Sequence, residues 1–499
     1  MGWIAPIRQM SDEINLLKWQ KLFNLEAMGD AKSLAENREC EKAGTFLVGP
    51  PGTGKSFALN HFVASIKSQY PTLKIAMTAT TGAASTRLDN ATTLATFLCI
   101  GGEAMKLHLL NEIRPIIVMR DPENIRKTDI LIIDEASMFS MTHYNNLDLC
   151  FRAVRKDPRP FGGMYIIFVG DPFQLPPVPV DSGGGLFRNT RTFVESCLEE
   201  KKAGFRYIVA NEMKRSEDSA LLRNTLLQNI SPNAIDRNAA TRTLRENCYH
   251  GEMTVDEVLD HQRETGATIL SPAREGEHSV SHYNARAKAR AMELPGYKEL
   301  PIPPVKKLHN PDDKDILKAI GGARALAAEE NALEKRDSWT TEPHLCTQLP
   351  YMVRMKVDCS GTILVNGDMV EVISVNEDES ITVHSFRLKK RIIIARQVFK
   401  SEWVPAIAYE GYPLLPCSAM TIHKAQGATL ESGIIFEVRR GYGDAYLAHM
   451  WYTAFSRVKR IEDIRLTSYL TDLLDHPEIQ KKLEYIWKIA YMKDYLRPE

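Results

Sequence analysis

The chain has 499 residues, of which 44% are hydrophobic and 25% are charged, and its formal net charge is zero. This composition is typical of soluble globular proteins and excludes a mostly disordered chain, while the length suggests roughly three or four domains. A net charge of zero excludes a protein that binds nucleic acid through bulk positive charge, but it permits a locally basic channel.

The cysteines and the apolar runs narrow the class of protein further. The eight cysteines are scattered without a C-x-x-C pair, which argues against zinc and disulfide frameworks and favours a reducing compartment. The sequence has no apolar run of about 18 residues, the length expected of a membrane span, and its N-terminus lacks a signal-peptide core. We expect a soluble intracellular protein without membrane contact, cytoplasmic in a bacterium or phage and nuclear or mitochondrial in a eukaryote.

The first predicted element is a helix over residues 11–29. Ser11 and Glu13 are typical of a helix start, and apolar residues then recur at helical spacing. Gln20 lies on this helix, about 30 residues before the glycine-rich loop described next; a single glutamine is a weak signal, and a solvated helix residue is the alternative interpretation.

A strand, a glycine-rich loop and a second helix follow. Residues 45–48 form an apolar run typical of a buried strand, residues 57–63 have helical spacing, and residues 49–56 between them match G-x-x-x-x-G-K-[ST] at every fixed position. Such glycines let backbone amides close around a triphosphate, and the helix N-terminus adds a favourable dipole. Lys55 would neutralise the β- and γ-phosphates, and the Ser56 hydroxyl would hold Mg²⁺. The predicted nucleotide-binding residues are Gly49, Pro50, Pro51, Gly52, Thr53, Gly54, Lys55 and Ser56.

Threonines follow the next predicted strand, at residues 74–79. Small residues and hydroxyls at the carboxyl end of a strand can approach a sugar–phosphate backbone and donate hydrogen bonds to it, although an ordinary strand-to-helix turn has the same composition. The candidates for nucleic-acid contact are Thr78, Thr80, Thr93 and, as a stacking aromatic, Phe97. Residues 100–127 are predicted to form a small hairpin insertion.

Two consecutive carboxylates end the next apolar strand. Residues 129–133 precede Asp134 and Glu135, and ligands bind at the carboxyl ends of the strands in parallel sheets. We expect Asp134 to hold Mg²⁺ through water and Glu135 to orient and deprotonate an attacking water.

A further strand runs into a proline-stiffened turn within residues 161–178, where Gln174 is predicted to sense the γ-phosphate. This stretch resembles the third motif of superfamily-one helicases, and the Phe-Gly-Gly at its start resembles the PIF family. Residues 211–216, 413–430 and 452–460 look like the fourth, fifth and sixth motifs. The chain as a whole is similar to PIF and phage Dda-type helicases of the B-type, 5′→3′ class, with RecD-like enzymes next.

This resemblance implies an α/β fold with two RecA-like P-loop NTPase domains built on parallel sheets. The first domain would carry the hairpin insertion, and the second would carry an SH3-like β-barrel insertion. The expected domains are 1–200 for the first motor domain, 201–300 for the start of the second, 301–345 for an insertion or linker, 346–405 for the barrel, and 406–499 for the remainder with a C-terminal helix.

The resemblance also implies roles for individual residues. Arg215 and Arg457 would be arginine fingers, and Gln20 would read the adenine edge. Gln426 and Gly427 would complete the nucleotide site. Thr421, His423 and Lys424 would lie between the nucleotide and the DNA track, and Trp403 and Tyr409 are additional stacking candidates.

The activity that the resemblance implies is ATP-dependent, Mg²⁺-dependent DNA unwinding with 5′→3′ movement on single strands, in replication, recombination or repair. Single-stranded and forked duplex DNA are the expected partners of a monomer, and replication proteins are candidate partners. Two alternatives stay open: a superfamily-one RNA helicase, and a DNA-stimulated ATPase or nucleotide switch that recruits replication partners without unwinding. Ala95 and Pro172 depart from the family pattern, at places where a histidine and an aromatic are usual, which leaves the substrate details open.

Overall fold

The structure is a computed structural model. It describes residues 16–80, 88, 91–98, 117, 122–138, 141–175, 204–210, 220–229, 233–320, 322–324, 326–327, 330, 340, 342–355, 357–364, 367–400, 406–430, 432–438 and 444–469. Among these residues, no helix is both long and apolar enough to cross a bilayer.

A six-stranded parallel sheet forms the first half of the fold. Its strands are β1 (Gly44–Val48), β2 (Ile75–Ala79), β3 (Thr92–Thr93), β4 (Ile130–Asp134), β5 (Tyr165–Gly170) and β6 (Phe205–Val209). They lie in the order β3-β2-β4-β5-β1-β6. The helices around them are α1 (Lys18–Ala35), α2 (Lys55–Gln69), α3 (Leu94–Phe97), α4 (Glu123–Lys127) and α5 (Met141–Arg155).

Both faces of this sheet are covered, because β1, β4 and β5 are buried at every position. On one face Phe46 stacks between Phe168 and Tyr207, with ring centroids 5.1 and 5.2 Å away. On the other face Leu47 belongs to a core shared with α1 and α2. The predicted strands before the glycine loop and before the two carboxylates are confirmed, and the carboxyl ends of β1, β4 and β5 meet at one edge.

A four-stranded parallel sheet forms the second half. Its strands are β7 (Thr268–Ser271), β20 (Ala419–Thr421), β21 (Ile434–Phe436) and β22 (Ile464–Leu466), in the order β20-β7-β21-β22. The helices of this half are α6 (Ala220–Asn229), α7 (Ala234–Cys248), α8 (Val255–Thr265), α9 (Val280–Met292), α11 (Ile422–Ala425) and α12 (Asp444–Phe455). Ala419 pairs with Ile269, so β20 joins β7 across a long intervening segment.

That intervening segment is mainly antiparallel. Its five-stranded sheet has the order β16-β15-β14-β11-β19 and contains β11 (Pro350–Val353), β14 (Met369–Val375), β15 (Ile381–Ser385), β16 (Lys390–Ile394) and β19 (Leu414–Pro416). Smaller pairings join β8 (Glu299–Pro301) to β10 (His344–Cys346), β12 (Val357–Cys359) to β13 (Thr362–Leu364), and β18 (Ala408–Gly411) to both β9 (Lys306–Lys307) and β17 (Gln397–Lys400). Burial alternates along β15, as expected of a sheet with one face covered.

Some predicted elements differ from the structure or lie outside the described residues. The first helix begins at Lys18, where Gln20 closes the cap by accepting from the Leu17 amide at 3.0 Å, and the predicted cap at Ser11 lies outside the described residues. Most of the predicted hairpin at 100–127 also lies outside them, and its last five residues form α4. The sequence also predicts an alanine-rich helix over 317–335; the structure has α10 at Lys314–Ile320, and residues 323–324, 326–327 and 330 are again helical. The predicted C-terminal helix is outside the described residues.

Candidate active site

The backbone of the glycine loop between β1 and α2 has a conformation that requires glycine at several positions. Gly52 and Gly54 have φ values of 80° and 88°, in the left-handed region that favours glycine. A Cβ on Gly54 would lie 3.0 Å from Gln20 Nε2, and a Cβ on Gly49 would lie 2.6 Å from the Ala210 carbonyl oxygen. The loop is therefore a tight backbone cradle, which is the form needed to surround phosphate groups.

Polar side chains brace this cradle from both sides. Lys55 Nζ donates to the carbonyl oxygens of Gly49 and Pro50 at 2.7 and 2.8 Å. The Thr53 hydroxyl donates to the Pro50 carbonyl at 3.0 Å. Gln20, which is buried, brings its Nε2 to 3.5 Å from the Gly54 carbonyl oxygen. The glutamine predicted to read a base thus lies against the predicted phosphate loop.

The two carboxylates lie at the carboxyl end of β4, facing the same cleft. The Glu135 amide donates to Asp134 Oδ1 at 2.8 Å, and Glu135 has a φ of 56°. Asp134 and Glu135 line the cleft together with Ser56. A serine hydroxyl and a carboxylate are the hard oxygen ligands that Mg²⁺ prefers, so the residues present fit that ion.

The second half of the fold closes the cleft, which has a volume of about 230 Å³. Arg457 is 3% exposed, and its Nη2 lies 3.3 Å from Gln174 Oε1. Gln426 Nε2 lies 3.4 Å from both Glu135 Oε2 and the Ser137 hydroxyl. The lining residues are Pro51, Gly52, Gly54, Lys55, Ser56, Phe57, Asp134, Glu135, Gly170, Asp171, Gln174, Thr429, Ser456 and Arg457.

Gln426 therefore contacts the predicted base and not the glycine loop. Its Oε1 is buried and has no hydrogen-bond partner among the described residues, and Gln426 is not one of the described residues that line the cleft. Gly427 follows with a φ of 79°, which turns the chain away after α11. Arg215 lies outside the described residues.

The structure adds contacts that the sequence analysis did not predict. Asp171 is buried between the two halves, where its Oδ1 accepts from the Phe173 amide at 3.0 Å. Its Oδ2 accepts from the Tyr452 hydroxyl at 2.8 Å and from Gln174 Nε2 at 3.3 Å. Burial raises the pKa of Asp171, and the Lys55 charge opposes that rise. In the sequence, only their positions could have pointed to these two residues: Asp171 lies in the same turn as Gln174, and Tyr452 begins the sixth motif.

Two predicted nucleic-acid contacts are wrong in this arrangement. Phe97 is 4% exposed and packs edge-on against Phe151 in the core, so its ring cannot stack on a base. Thr78 is fully buried, and its hydroxyl donates to the Ile132 carbonyl at 2.8 Å within the sheet. The additional stacking candidate Tyr409 is also buried, and Trp403 lies outside the described residues.

The other predicted nucleic-acid contacts differ in how exposed and how hydrogen-bonded their side chains are. The Thr80 hydroxyl donates to the Glu135 carbonyl at 3.0 Å, which ties that turn to the carboxylate pair, and Thr93 is partly exposed. Thr421 caps α11 by accepting from the Lys424 amide at 3.3 Å. His423 is partly exposed and Lys424 is exposed, and both follow directly from β20.

Comparison with known proteins identifies the first half of the chain. Residues 32–203, which contain the glycine loop, both carboxylates and Gln174, match the family described as PIF1-like helicase. The chain contains a PIF1-like helicase domain. This match confirms the family resemblance for the motifs within residues 32–203.

Relatives extend the similarity beyond the PIF1-like domain. The chain is 25% identical over 458 residues to an ATP-dependent DNA helicase Pif1 of Psychrobacter, covering 84% of this chain and 65% of the relative. It is 26% identical over 451 residues to the PIF1 helicase of Xenopus laevis, covering 88% and 61%. The chain thus spans less than two thirds of the length of these relatives.

Solved structures show the same fold. The Pif1 helicase of Candida albicans matches with a TM-score of 0.63 at 18% identity, covering 95% of this chain and 100% of that one. Pif1 from Bacteroides in complex with ADP-AlF4 matches with a TM-score of 0.56 at 19% identity, covering 95% and 97%. The chain has a Pif1 helicase-like α/β fold in which the PIF1-like domain contains the first parallel sheet up to β5.

Proposed function

We propose that this protein is an ATP-dependent DNA helicase that moves 5′→3′ on single-stranded DNA and separates duplexes. The observation that carries the proposal is the cleft itself. Lys55 and Glu135 of the first half of the fold line the same cleft as Arg457 of the second half. A nucleotide held there would contact both halves, so its hydrolysis would change how strongly they attract each other.

The cleft supplies the groups that phosphoryl transfer to water requires. Glu135 would orient the attacking water and accept its proton as the bond from phosphorus to the leaving oxygen breaks. Lys55 and Arg457, with Arg215 as a second proposed finger, would neutralise the charge that develops on the phosphoryl oxygens. Ser56 and Asp134 would hold Mg²⁺, which supplies positive charge to the β- and γ-phosphates when it is bound.

We assign the two parallel sheets to two RecA-like motor domains. The first sheet includes β6 (Phe205–Val209) and the five-stranded sheet includes β19 (Leu414–Pro416), so we move the predicted boundaries at 200 and 405 past these strands. The five-stranded antiparallel sheet between β7 and β20 corresponds to the inserted barrel, for which an SH3-like form is our proposal. The segment 301–345 joins this insertion, because its His309 ring lies between the Ala408 carbonyl, 3.1 Å away, and Glu330 Oε1, 2.7 Å away.

The segment from Thr421 to Gln426 supports coupling between nucleotide and DNA. Gln426 contacts Glu135 at one end of this segment, and Lys424 is exposed on the short helix before it. Burial lowers the pKa of His423, so its imidazole is neutral at pH 7 and can act as a donor or acceptor without charge. A change at Glu135 would therefore reach the proposed DNA-contact residues through one turn of chain.

Solved structures support the choice of nucleic acid. A matching Bacteroides Pif1 structure is bound to single-stranded DNA, and another matching structure concerns DNA unwinding at forked double-stranded DNA by two coordinating Pif1 helicases. We propose single-stranded and forked DNA as the substrates of this protein, which we expect to act as a monomer, with replication proteins as candidate partners.

The deciding experiment compares unwinding of matched duplexes that carry a 5′ or a 3′ single-stranded tail, with ATP and Mg²⁺. We expect separation only from the 5′ tail and no separation by Lys55→Ala, which lacks the phosphate-binding ammonium. Separation only from the 3′ tail contradicts the polarity but keeps the motor. DNA-stimulated hydrolysis without separation contradicts unwinding and favours a nucleotide switch, and equal activity on RNA tails contradicts the DNA assignment.

A further inference from the structure

A buried chain of hydrogen bonds crosses the boundary between the two halves beside the cleft. It runs from the Tyr452 hydroxyl to Asp171 Oδ2 (2.8 Å), from Gln174 Nε2 to the same oxygen (3.3 Å), and from Arg457 Nη2 to Gln174 Oε1 (3.3 Å). Tyr452 and Arg457 belong to the second half, while Asp171 and Gln174 belong to the first. The chain of bonds therefore leaves the second half and returns to it.

In this series of hydrogen bonds, the Asp171 carboxylate determines the orientation of the Gln174 side-chain amide. A carboxylate only accepts hydrogen bonds, so Gln174 must present its amide nitrogen to Asp171. The amide oxygen then faces Arg457, whose guanidinium only donates. The reverse orientation would place two donors against each other at Arg457 and two acceptors against each other at Asp171.

The helix α12, which carries Tyr452, makes a second contact with the turn that contains Asp171. His449 Nδ1 lies 2.8 Å from the Phe173 carbonyl oxygen, and the rings of Phe173 and Tyr452 are 6.0 Å apart. His449 and Tyr452 are both on α12. The turn from Asp171 to Gln174 is thus attached to α12 through backbone, ring and carboxylate contacts.

We propose that Tyr452 and Asp171 are positioning residues, which hold Gln174 and Arg457 in the orientation for phosphoryl transfer only when the two halves are closed. The proposal rests on the function proposed above. Separation of the halves would remove the Tyr452 hydroxyl from a buried carboxylate and release the Gln174 amide. Because closure takes the Asp171 carboxylate out of water, its hydrogen bonds must form as the halves close, and the alignment is expected to form and break as a unit with closure.

The first test removes the hydroxyl and keeps the ring. Tyr452→Phe preserves the contact with Phe173, and we expect it to lower the kcat of DNA-stimulated ATP hydrolysis about 10-fold, as expected for one hydrogen bond to a charged group. The KM for ATP should stay within about twofold, since Tyr452 does not line the cleft. An unchanged kcat, or a loss that appears only in KM, would overturn the proposal.

The matched control is Tyr165→Phe. Tyr165 is also buried and donates to a carboxylate, Asp30 Oδ2, at 2.6 Å, but it lies at the opposite end of β5 from Asp171. This variant loses a bond of the same chemistry away from the cleft, so we expect its kcat to equal that of the wild type. Equal losses of kcat in both variants would indicate general destabilisation and overturn the positioning role.

A double-mutant cycle separates positioning from an independent structural role. If Tyr452 acts through Gln174, then Tyr452→Phe should cost no further kcat in a Gln174→Ala background, measured in single-turnover assays. A second cycle with Asp171→Asn should show the same loss of additivity. Additive effects in both cycles contradict the proposal but leave the helicase assignment intact, whereas a wild-type protein that does not hydrolyse ATP with DNA overturns both.

Discussion

Glu135 has a backbone conformation that few side chains adopt, with a φ of 56° immediately after β4. Its backbone amide donates a hydrogen bond to the Asp134 carboxylate, so the candidate metal ligand and the proposed base hold each other in place. Strain of this kind persists where surrounding contacts determine the backbone, and it is frequent at active sites. The carboxylate of Glu135 is thereby aimed by the main chain and by the Gln426 contact.

We predict that Glu135→Gln retains ATP binding and loses turnover. The amide keeps the size of the side chain but cannot accept the proton of the attacking water, so kcat should fall by about 10²- to 10⁴-fold. Binding is measured by titration with a fluorescent ATP analogue, and turnover by phosphate release with single-stranded DNA. Wild-type turnover in this variant would remove Glu135 from the role of base.

Individual residues also show where sequence reasoning reached its limit. The grouping of Lys55, Ser56, Asp134 and Glu135 at one cleft was predictable because they follow buried strands, and strand ends in a parallel sheet meet. Phe97 failed because an aromatic beside a polar turn is as consistent with a core as with a surface. The contact between Tyr452 and Asp171 was not predictable, since no local pattern reports which side chains face each other across two lobes.

At the scale of elements, the glycine loop depends on two backbone torsions and on the space beside α1. Gly54 immediately precedes α2, with a φ of 88° and only 3.0 Å between its ideal Cβ position and Gln20 Nε2. The first helix and the loop are therefore coupled by packing. A change in either is expected to reach the phosphate site.

We predict that Gly54→Ala abolishes measurable ATP binding, because the added methyl group strains the loop and pushes against Gln20. The matched control is Gly29→Ala, on α1, where a Cβ would meet no atom within 4 Å. That variant should bind ATP normally and gain stability of about 1 kcal/mol from higher helix propensity. Calorimetric titration and thermal unfolding of both variants provide the check, and normal binding by Gly54→Ala would contradict the cradle.

Element boundaries were the least predictable part of the fold. The strands β1, β4 and β5 were predictable because they are buried along their whole length and form continuous apolar runs. The alanine-rich helix predicted over 317–335 missed a break after α10, which ends at Ile320 shortly before Gly322, whose φ is 110°. Glycine at positive φ commonly ends a helix, and the chain is helical again at residues 323–324, 326–327 and 330.

At the scale of the whole molecule, 63 basic and 63 acidic residues balance each other. The proposed DNA binding therefore requires a local arrangement of charge and cannot come from the net charge. Lys424 is an exposed cation within the proposed coupling segment, Thr421 to Gln426. Contacts of this kind release counterions when they meet phosphates.

We predict that affinity for single-stranded DNA falls as salt rises, with a slope in log K against log salt of about −0.7 for each phosphate contact. Lys424→Ala should reduce the magnitude of that slope by about one contact, and Lys459→Ala, outside the proposed coupling segment, serves as the comparison. Fluorescence anisotropy with a labelled oligonucleotide measures both slopes. An affinity independent of salt would contradict electrostatic binding to the backbone.

The pairing of Ala419 with Ile269 has a consequence for how the protein is made. The first sheet is complete once β6 has emerged from the ribosome, so that half can fold early. β7 is synthesised soon afterwards, but both of its neighbours, β20 and β21, come only after the whole antiparallel insertion. Until then a buried-type strand has two unpaired edges, and such strands are prone to aggregate. Slow translation between β7 and β20 is thus expected to make folding more dependent on chaperones. It is not expected to lower the stability of the protein once folded.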